Sequence, residues 1–212
     1  MGTGWLPWSA ASLASGAILL VLAALAMPPT SEVGQVVQAI EQQDAAWLMA
    51  SASFFLASVA LTMGLPAILF LVPPRNQVAA MVGVVIWSVG TIGTSALAAF
   101  LILFRATVRV VSISPEDVED LGRDQVLGLS LLFVVVAFYL GELVVGVVLL
   151  RASVVPRWIP GLLILHVALA PFEDTLPAQL QGFPTIVLGV ALMGVAVKAN
   201  EVWAGTRTPS LL

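Results

Sequence analysis

The sequence of 212 residues contains no cysteine, one histidine, one tyrosine and one lysine. The absence of cysteine excludes disulfides, thiolate nucleophiles, zinc–thiolate sites and iron–sulfur clusters. A single histidine excludes any metal site that needs two imidazoles, such as the H-E-x-x-H motif of zinc proteases. We therefore expect no metal ion and no cofactor.

Charged residues are scarce as well, at 9 % of the chain, whereas apolar residues make up 60 %. Soluble domains contain roughly 25 % charged and roughly 45–50 % apolar residues. A soluble fold with this composition would leave large apolar patches in water. The net charge of −4 provides no basic patch for nucleic acid. The composition therefore predicts an integral membrane protein whose partners are membrane lipids and not nucleic acid.

Six apolar stretches are long enough to cross a bilayer, for which a helix needs about 20 residues. They are residues 6–27, 45–72, 78–104, 126–150, 158–176 and 178–199. Their apolar residues are continuous and do not alternate, which favours helices over a membrane barrel. No basic residue precedes the first stretch, so we expect a retained span and not a signal peptide. The sequence predicts one all-α domain, a bundle of six transmembrane helices over residues 1–212.

The basic residues between the spans predict the orientation. One end of the bundle carries five: Arg75, Arg151, Arg157, Lys198 and Arg207. The other end carries three, Arg105, Arg109 and Arg123, with most of the acids. By the positive-inside rule both termini are cytoplasmic. Trp47, Trp158 and Trp203, near predicted span ends, are typical of interfacial tryptophans. The Ala/Val/Leu-rich composition is typical of a GC-rich genome, so we expect the inner (cytoplasmic) membrane of a bacterium.

A short helix is predicted in the first extracytoplasmic segment. Val33, Val36, Val37 and Ile40 follow the i, i+3, i+4, i+7 spacing of one helix face. Gln35, Gln38, Gln42 and Gln43 supply the polar positions. This pattern is typical of an amphipathic helix that lies on the membrane surface.

Two ionisable residues inside the predicted spans are the main candidates for a functional site, because such groups are costly to insert into a bilayer. Glu142 lies nine residues before Arg151, and His166 lies nine residues after Arg157. Nine residues of helix rise about 13–14 Å. The two side chains should therefore lie at similar depth, near the midplane. They form either a proton, ion or ligand site or an interhelical hydrogen bond that ties two spans together.

Three further residues are assigned to this candidate site. Tyr139 lies one turn from Glu142 on the same helix face and offers a phenolic hydroxyl. Pro66 lies nine residues from Arg75, at similar depth, and leaves the Thr62 carbonyl without its helical donor. A helix interrupted beside a carboxyl–imidazole pair is one way to build a polar site at the midplane.

A weaker outer acidic site is predicted at Glu173 and Asp174. These residues follow Pro171 at the outer end of the fifth predicted span, and Pro177 and Pro184 are close by. The prolines predict irregular backbone there, which near membrane depth lines a cavity or is buried in protein. Two ordinary acids in an outer turn are the alternative, which the pattern favours.

The turn between the fourth and fifth predicted spans reads Arg151-Ala152-Ser153-Val154-Val155-Pro156-Arg157-Trp158. It resembles the corresponding turn of a family of uncharacterised bacterial six-span membrane proteins, a domain of unknown function, in which Pro-Arg-Trp opens the fifth span. The resemblance covers this hairpin, the span layout and the long first outer segment. It implies a fold, and it brings no activity and no functional residues.

Three functions are compatible with these features. The favoured one is a small transporter or a lipid- or ligand-binding protein with a midplane site at Glu142 and His166. The first alternative is a non-catalytic subunit or scaffold of a larger membrane complex, partnered by another membrane protein or by a second copy. The second is an intramembrane enzyme acting on a lipid or isoprenoid, with Glu173, Asp174 or Glu142 as its acid. A non-enzymatic role is favoured, and no catalytic residue is assigned.

Overall fold

The computed structural model of the chain describes residues 3–28, 33–111, 115–176 and 180–207, and every regular element in these ranges is helical. The α-helices are α1 (Leu6–Ala26), α2 (Val33–Gln42), α3 (Asp44–Gly64), α4 (Pro66–Leu71), α5 (Gln77–Val110), α6 (Pro115–Gly122), α7 (Gln125–Ala152), α8 (Trp158–Leu169) and α9 (Phe183–Arg207). Short 3₁₀ turns cover Thr3–Trp5, Pro74–Asn76 and Ala170–Thr175.

Five helical stretches are long and apolar enough to cross a membrane. They are Leu6–Ala26, Asp44–Leu71, Pro74–Val110, Gln125–Ala152 and Phe183–Gly205. A sixth stretch, Trp158–Phe172, is apolar but shorter. The protein is therefore an all-helical chain with five helices of membrane-spanning length, and the fifth of the six predicted spans differs from the others.

Proline interrupts two of the predicted spans. The second, predicted over 45–72, is divided at Leu65, because Pro66 has no amide hydrogen to continue the hydrogen bonds of α3. The fifth, predicted over 158–176, remains α-helical only to Leu169 and continues as a 3₁₀ turn. Pro171 has no amide hydrogen and therefore cannot donate the next α-helical hydrogen bond. The sixth begins at Phe183 and not at residue 178, with Pro184 in its first turn, where a proline is tolerated.

The long helices pack in chain order around a closed ring. α1 contacts α3, α3 contacts α5, and α5 contacts α7; α8 then lies between α7 and α9, and α9 returns to α1. Helix α4 contacts α1, α5 and α9, so the end of the second span leans into the ring. The main core runs through these helices, and its largest fully buried side chains include Leu13, Leu61, Trp87, Leu149, Leu163 and Leu188.

Glycine brings the backbones of α5 and α7 into contact. Gly90 of α5 lies against the backbone of Phe138, and Gly141 of α7 lies against the backbone of Trp87. A Cβ atom at either glycine would overlap main-chain atoms of the other helix. Small residues allow this close approach, which is a common way to stabilise helix pairs in a membrane.

A second cluster closes the end of the bundle where α3 begins and α5 ends. Helix α5 has 34 residues, roughly 50 Å at 1.5 Å per residue, which exceeds a hydrocarbon core of about 30 Å. Its last turns pack with α2 and Trp47. The carboxylate of Asp44 accepts hydrogen bonds from Arg105 at 2.5 Å and Arg109 at 2.7 Å. Both arginines therefore pair with Asp44, the first residue of α3.

Trp47 is not an interfacial tryptophan. Its side chain is 2 % exposed, and its indole N–H donates to the carbonyl of Leu101 at 3.2 Å. The prediction for this residue was wrong because α2 and the end of α5 cover the start of α3. Trp158, by contrast, is half exposed.

We expect Gly141→Ala to destabilise the bundle by about 1–3 kcal/mol, the usual effect of overpacking, because its Cβ would meet the backbone of Trp87. Gly128→Ala, on the same helix, is the matched control, since a Cβ there meets nothing within 4 Å. It should leave stability unchanged or raise it by up to about 1 kcal/mol. Denaturation of both variants in one detergent measures the difference. Equal stability of the two variants would contradict the backbone contact.

Candidate functional site

Glu142 of α7 and His166 of α8 form a direct pair. The imidazole Nδ1 lies 2.9 Å from Oε1 and 2.8 Å from Oε2 of the carboxyl group. Glu142 is 0 % exposed and His166 is 4 % exposed. The pair is therefore sealed from its surroundings, and each side chain supplies the other with a polar partner inside an apolar bundle.

The α7–α8 hairpin places the two residues opposite each other. Helix α7 ends at Ala152, and Ser153 caps it in the left-handed conformation with φ of 54°. After this reversal α8 begins at Trp158 and packs against α7. Gly146 lets α7 approach α8 closely, since a Cβ there would lie only 3.3 Å from Leu163 and 3.2 Å from Ile164. Residues at equal distance from such a short connection meet across the helix pair.

The ring of Tyr139 packs against the imidazole of His166. Its ring centroid lies 5.5 Å from that of His166, with the planes tilted by 41°. Phe138 packs on the other side of this contact, with its ring nearly perpendicular to Tyr139 at 5.7 Å. The tyrosine thus contacts the imidazole with its ring, and its hydroxyl as a donor to the site stays a prediction.

Thr62 lies in a separate polar contact. Its hydroxyl donates to the carbonyl of Ser58 at 2.8 Å, and its oxygen lies 2.8 Å from the hydroxyl oxygen of Thr91 on α5. No hydrogen bond in the described ranges joins Thr62 to Glu142 or His166. The structure does not join these residues into one hydrogen-bonded group, because α5 lies between α3 and α7 in the ring.

The interruption at Pro66 has a hydroxyl partner that sequence reasoning missed. Ser9 of α1 is buried, and its hydroxyl lies 3.0 Å from the carbonyl oxygens of both Met63 and Gly64. Carbonyls at a helix interruption need such a donor, because lipid offers none. The available signal was a serine within the apolar first span.

Trp87 of α5 is the second residue that sequence reasoning missed. Its side chain is 1 % exposed, and its indole N–H has no hydrogen-bond partner within the described parts of the chain. Its backbone lies against Gly141, the residue before Glu142. A buried donor left unsatisfied costs about 1–3 kcal/mol. Trp87 therefore combines a backbone that lies beside the residue before Glu142 with a buried donor that the described chain leaves unsatisfied.

The outer acidic residues Glu173 and Asp174 belong to the 3₁₀ turn Ala170–Thr175. Their side chains lie outside the described part of the structure, as does nearby Pro177. The backbone agrees with the irregular segment expected after Pro171. The outer acidic site stays a prediction.

Comparison with protein-family models, with curated proteins and with solved structures finds no match to this chain. The resemblance to the uncharacterised six-span family therefore stays a prediction that rests on the turn at 151–158.

We expect Glu142 and His166 to be energetically coupled. A double-mutant cycle of Glu142→Ala and His166→Ala should give a coupling energy of about 0.6–2 kcal/mol, the range for polar contacts between membrane helices. Denaturation in a fixed detergent measures the four proteins. A second cycle of Glu142→Ala with the exposed Glu201→Ala should be additive to about 0.3–0.5 kcal/mol, because these sites share no partner. Additivity in the first cycle would show that the pair does not stabilise the fold.

Proposed function

We propose that this chain is a small multi-pass membrane transporter or ligand-binding protein that uses the Glu142–His166 pair as its polar site. The observation that carries the proposal is the contact of one imidazole nitrogen with both carboxyl oxygens, fully buried between α7 and α8. A titratable pair held inside an apolar bundle is a site for binding a proton, a cation or a polar ligand.

The depth of the pair supports a site reached from either side. His166 is the ninth residue of α8, and Glu142 lies ten residues before the end of α7. At 1.5 Å per residue both lie roughly 12–15 Å from the helix ends that meet at the 153–157 turn. This is close to half of a hydrocarbon core of about 30 Å. Alternating access requires a site at this depth.

Interrupted helices supply parts that can move. In a six-span arrangement with α8 as a short fifth span, the second span is broken at Leu65 and the fifth changes to a 3₁₀ turn after Leu169. Each is the middle span of one three-span half. Interrupted segments at corresponding positions of two halves are a sequence pointer to a transport site.

The chemistry follows from what the pair does when closed. Each partner satisfies the other, so the closed pair excludes a ligand from both groups. Separation of α8 from α7 exposes a carboxyl oxygen pair and an imidazole nitrogen at once. A cation or a hydroxyl- or amine-bearing ligand replaces the lost contacts, and a proton leaves or joins the pair in the same step. Trp87 provides a further donor.

The same burial also favours the alternative, a structural role in a larger membrane complex. A pair that satisfies itself and contacts no solvent acts as an interhelical tie. The two functions differ in what the protein holds when it is extracted gently from its host. A bound small molecule supports the site, and a stoichiometric protein partner supports the subunit.

Glu142→Gln decides between them. Glutamine keeps the shape and one hydrogen bond to His166 but cannot ionise. We expect native mass spectrometry of the wild-type protein to detect a small-molecule adduct, and the folded Glu142→Gln variant to lose it. Glu201→Gln, at an exposed residue paired with Lys198, should keep the adduct.

An equal adduct on Glu142→Gln and wild type would contradict the proposed site. A protein partner present in equal amount on both, without an adduct, would establish the subunit role. Near-identical melting temperatures of the two glutamine variants serve as the check that a lost adduct reflects the site and not unfolding.

We further propose that α8 and its 3₁₀ extension complete a sixth crossing, with both termini in the cytoplasm of a bacterial cell. Helix α2 then lies at the outer end of the bundle, where its apolar face packs on α3 and α5 in place of the membrane surface expected from the sequence. The positive-inside count supports this orientation. The packing of α8 between α7 and α9 in the ring supports the sixth crossing.

The absence of cysteine makes the topology directly testable. Gly4→Cys, Gly122→Cys and Gly205→Cys all place the new side chain in open space. In intact cells a membrane-impermeant maleimide should label only Gly122→Cys, and after permeabilisation it should label all three. Labelling of Gly205→Cys together with Gly122→Cys in intact cells would show an odd number of crossings, and α8 would then not span the membrane.

A further inference from the structure

A cavity of about 280 Å³ opens between the start of α5 and the end of α7. Its lining combines charge with a small apolar floor: Arg75, Asn76, Ala79, Val148 and Arg151. The two arginines come from separate segments, the 3₁₀ turn before α5 and the last turn of α7. The fold therefore brings together two cations that are far apart in the sequence.

Neither arginine has an acidic partner within the described residues. Lys198 of α9, by contrast, pairs with Glu201 at 3.0 Å. Two guanidinium groups that line one cavity repel each other unless an anion lies between them. Guanidinium binds phosphate through two parallel hydrogen bonds, which makes arginine well suited to such an anion.

The position of the cavity points to a lipid as the source of the phosphate. Helix α5 begins here and helix α7 ends here. The cavity therefore lies at the level of the headgroups if α5 and α7 cross a bilayer. The first turns of α5, next to the cavity in the sequence, also carry four exposed apolar side chains: Val78, Met81, Val82 and Val85, between 49 % and 71 % exposed. A headgroup held by the arginines would have its acyl chains at the level of these exposed apolar residues.

We propose that this cavity binds the phosphate of an anionic phospholipid, with Arg75 and Arg151 as its two cationic ligands and Asn76 as a neutral donor. Basic pockets between membrane helices are a known way to hold anionic headgroups. The site is separate from the Glu142–His166 pair, which lies roughly 13 Å deeper along α7. It stands whether or not the pair is a transport site.

The test is lipid binding to the full-length protein in detergent, followed by native mass spectrometry. Phosphatidylglycerol and phosphatidylcholine are titrated separately, and inorganic phosphate is added in a third series. We expect tighter binding of phosphatidylglycerol than of phosphatidylcholine. Arg151→Gln should weaken phosphatidylglycerol binding on the order of fivefold, as expected for one basic residue facing an anionic lipid.

Arg157→Gln is the matched control, since it removes the same charge from an exposed residue of the neighbouring turn that does not line the cavity. It should change phosphatidylglycerol binding less than twofold on the same scale. An equal loss in both arginine variants would reduce the effect to general surface charge and overturn the site.

Ala79→Trp tests the cavity without changing the charge. Ala79 is exposed and lines the cavity, so the larger side chain should fill the space and lower phosphatidylglycerol binding. Equal affinity for the two lipids would overturn the proposal. The remaining outcome concerns inorganic phosphate. If phosphate competes with phosphatidylglycerol for the cavity and stabilises the protein against heat to the same degree, the ligand is a free anion and the lipid is overturned as the source.

Discussion

The backbone contact between α5 and α7 determines where the polar groups of this protein lie. Gly90 and Gly141 let the two helices touch along their main chains, and no side chain fills the space between them. This contact puts Trp87 beside the residue that precedes Glu142. At the end of the same helix pair, it brings Arg75 and Arg151 to one cavity. The cavity therefore lies along the α5–α7 pair, and the Glu142–His166 contact, which α7 forms with α8, shares one of its two helices.

The apolar surroundings then require every polar group within the spans to find a partner. Ser51, Ser58 and Thr94 bond to carbonyls of their own helices, and Ser9 bonds to carbonyls at the Pro66 interruption. Glu142 and His166 satisfy each other. The indole N–H of Trp87 is an exception within the described residues.

Proline interrupts the α-helical backbone at two places in the ring. At Pro66 the second span is broken, and the freed carbonyls are held by a hydroxyl of α1. After Leu169 the backbone of α8 continues as a 3₁₀ turn, so that α8 has only twelve α-helical residues. A short helix makes fewer contacts than its neighbours, and α8 carries one half of the titratable pair. Helix α8, which covers one side of the Glu142–His166 contact, is thus much shorter than the long helices beside it in the ring.

The sequence by itself determined the all-helical class with helices of membrane-spanning length, because 60 % of the residues are apolar and they occur in runs of about 20. It also determined that Glu142 and His166 lie at similar distances from the turn between their helices, because helix rise is fixed and that turn is short. Only the tertiary structure decided that the two face each other, that Thr62 bonds across to α5, that Trp47 is covered by α2, and that Arg75 and Arg151 share a cavity. These facts depend on the rotation of each helix about its axis, which is set by the packing of side chains from several helices together and which no single stretch of sequence contains.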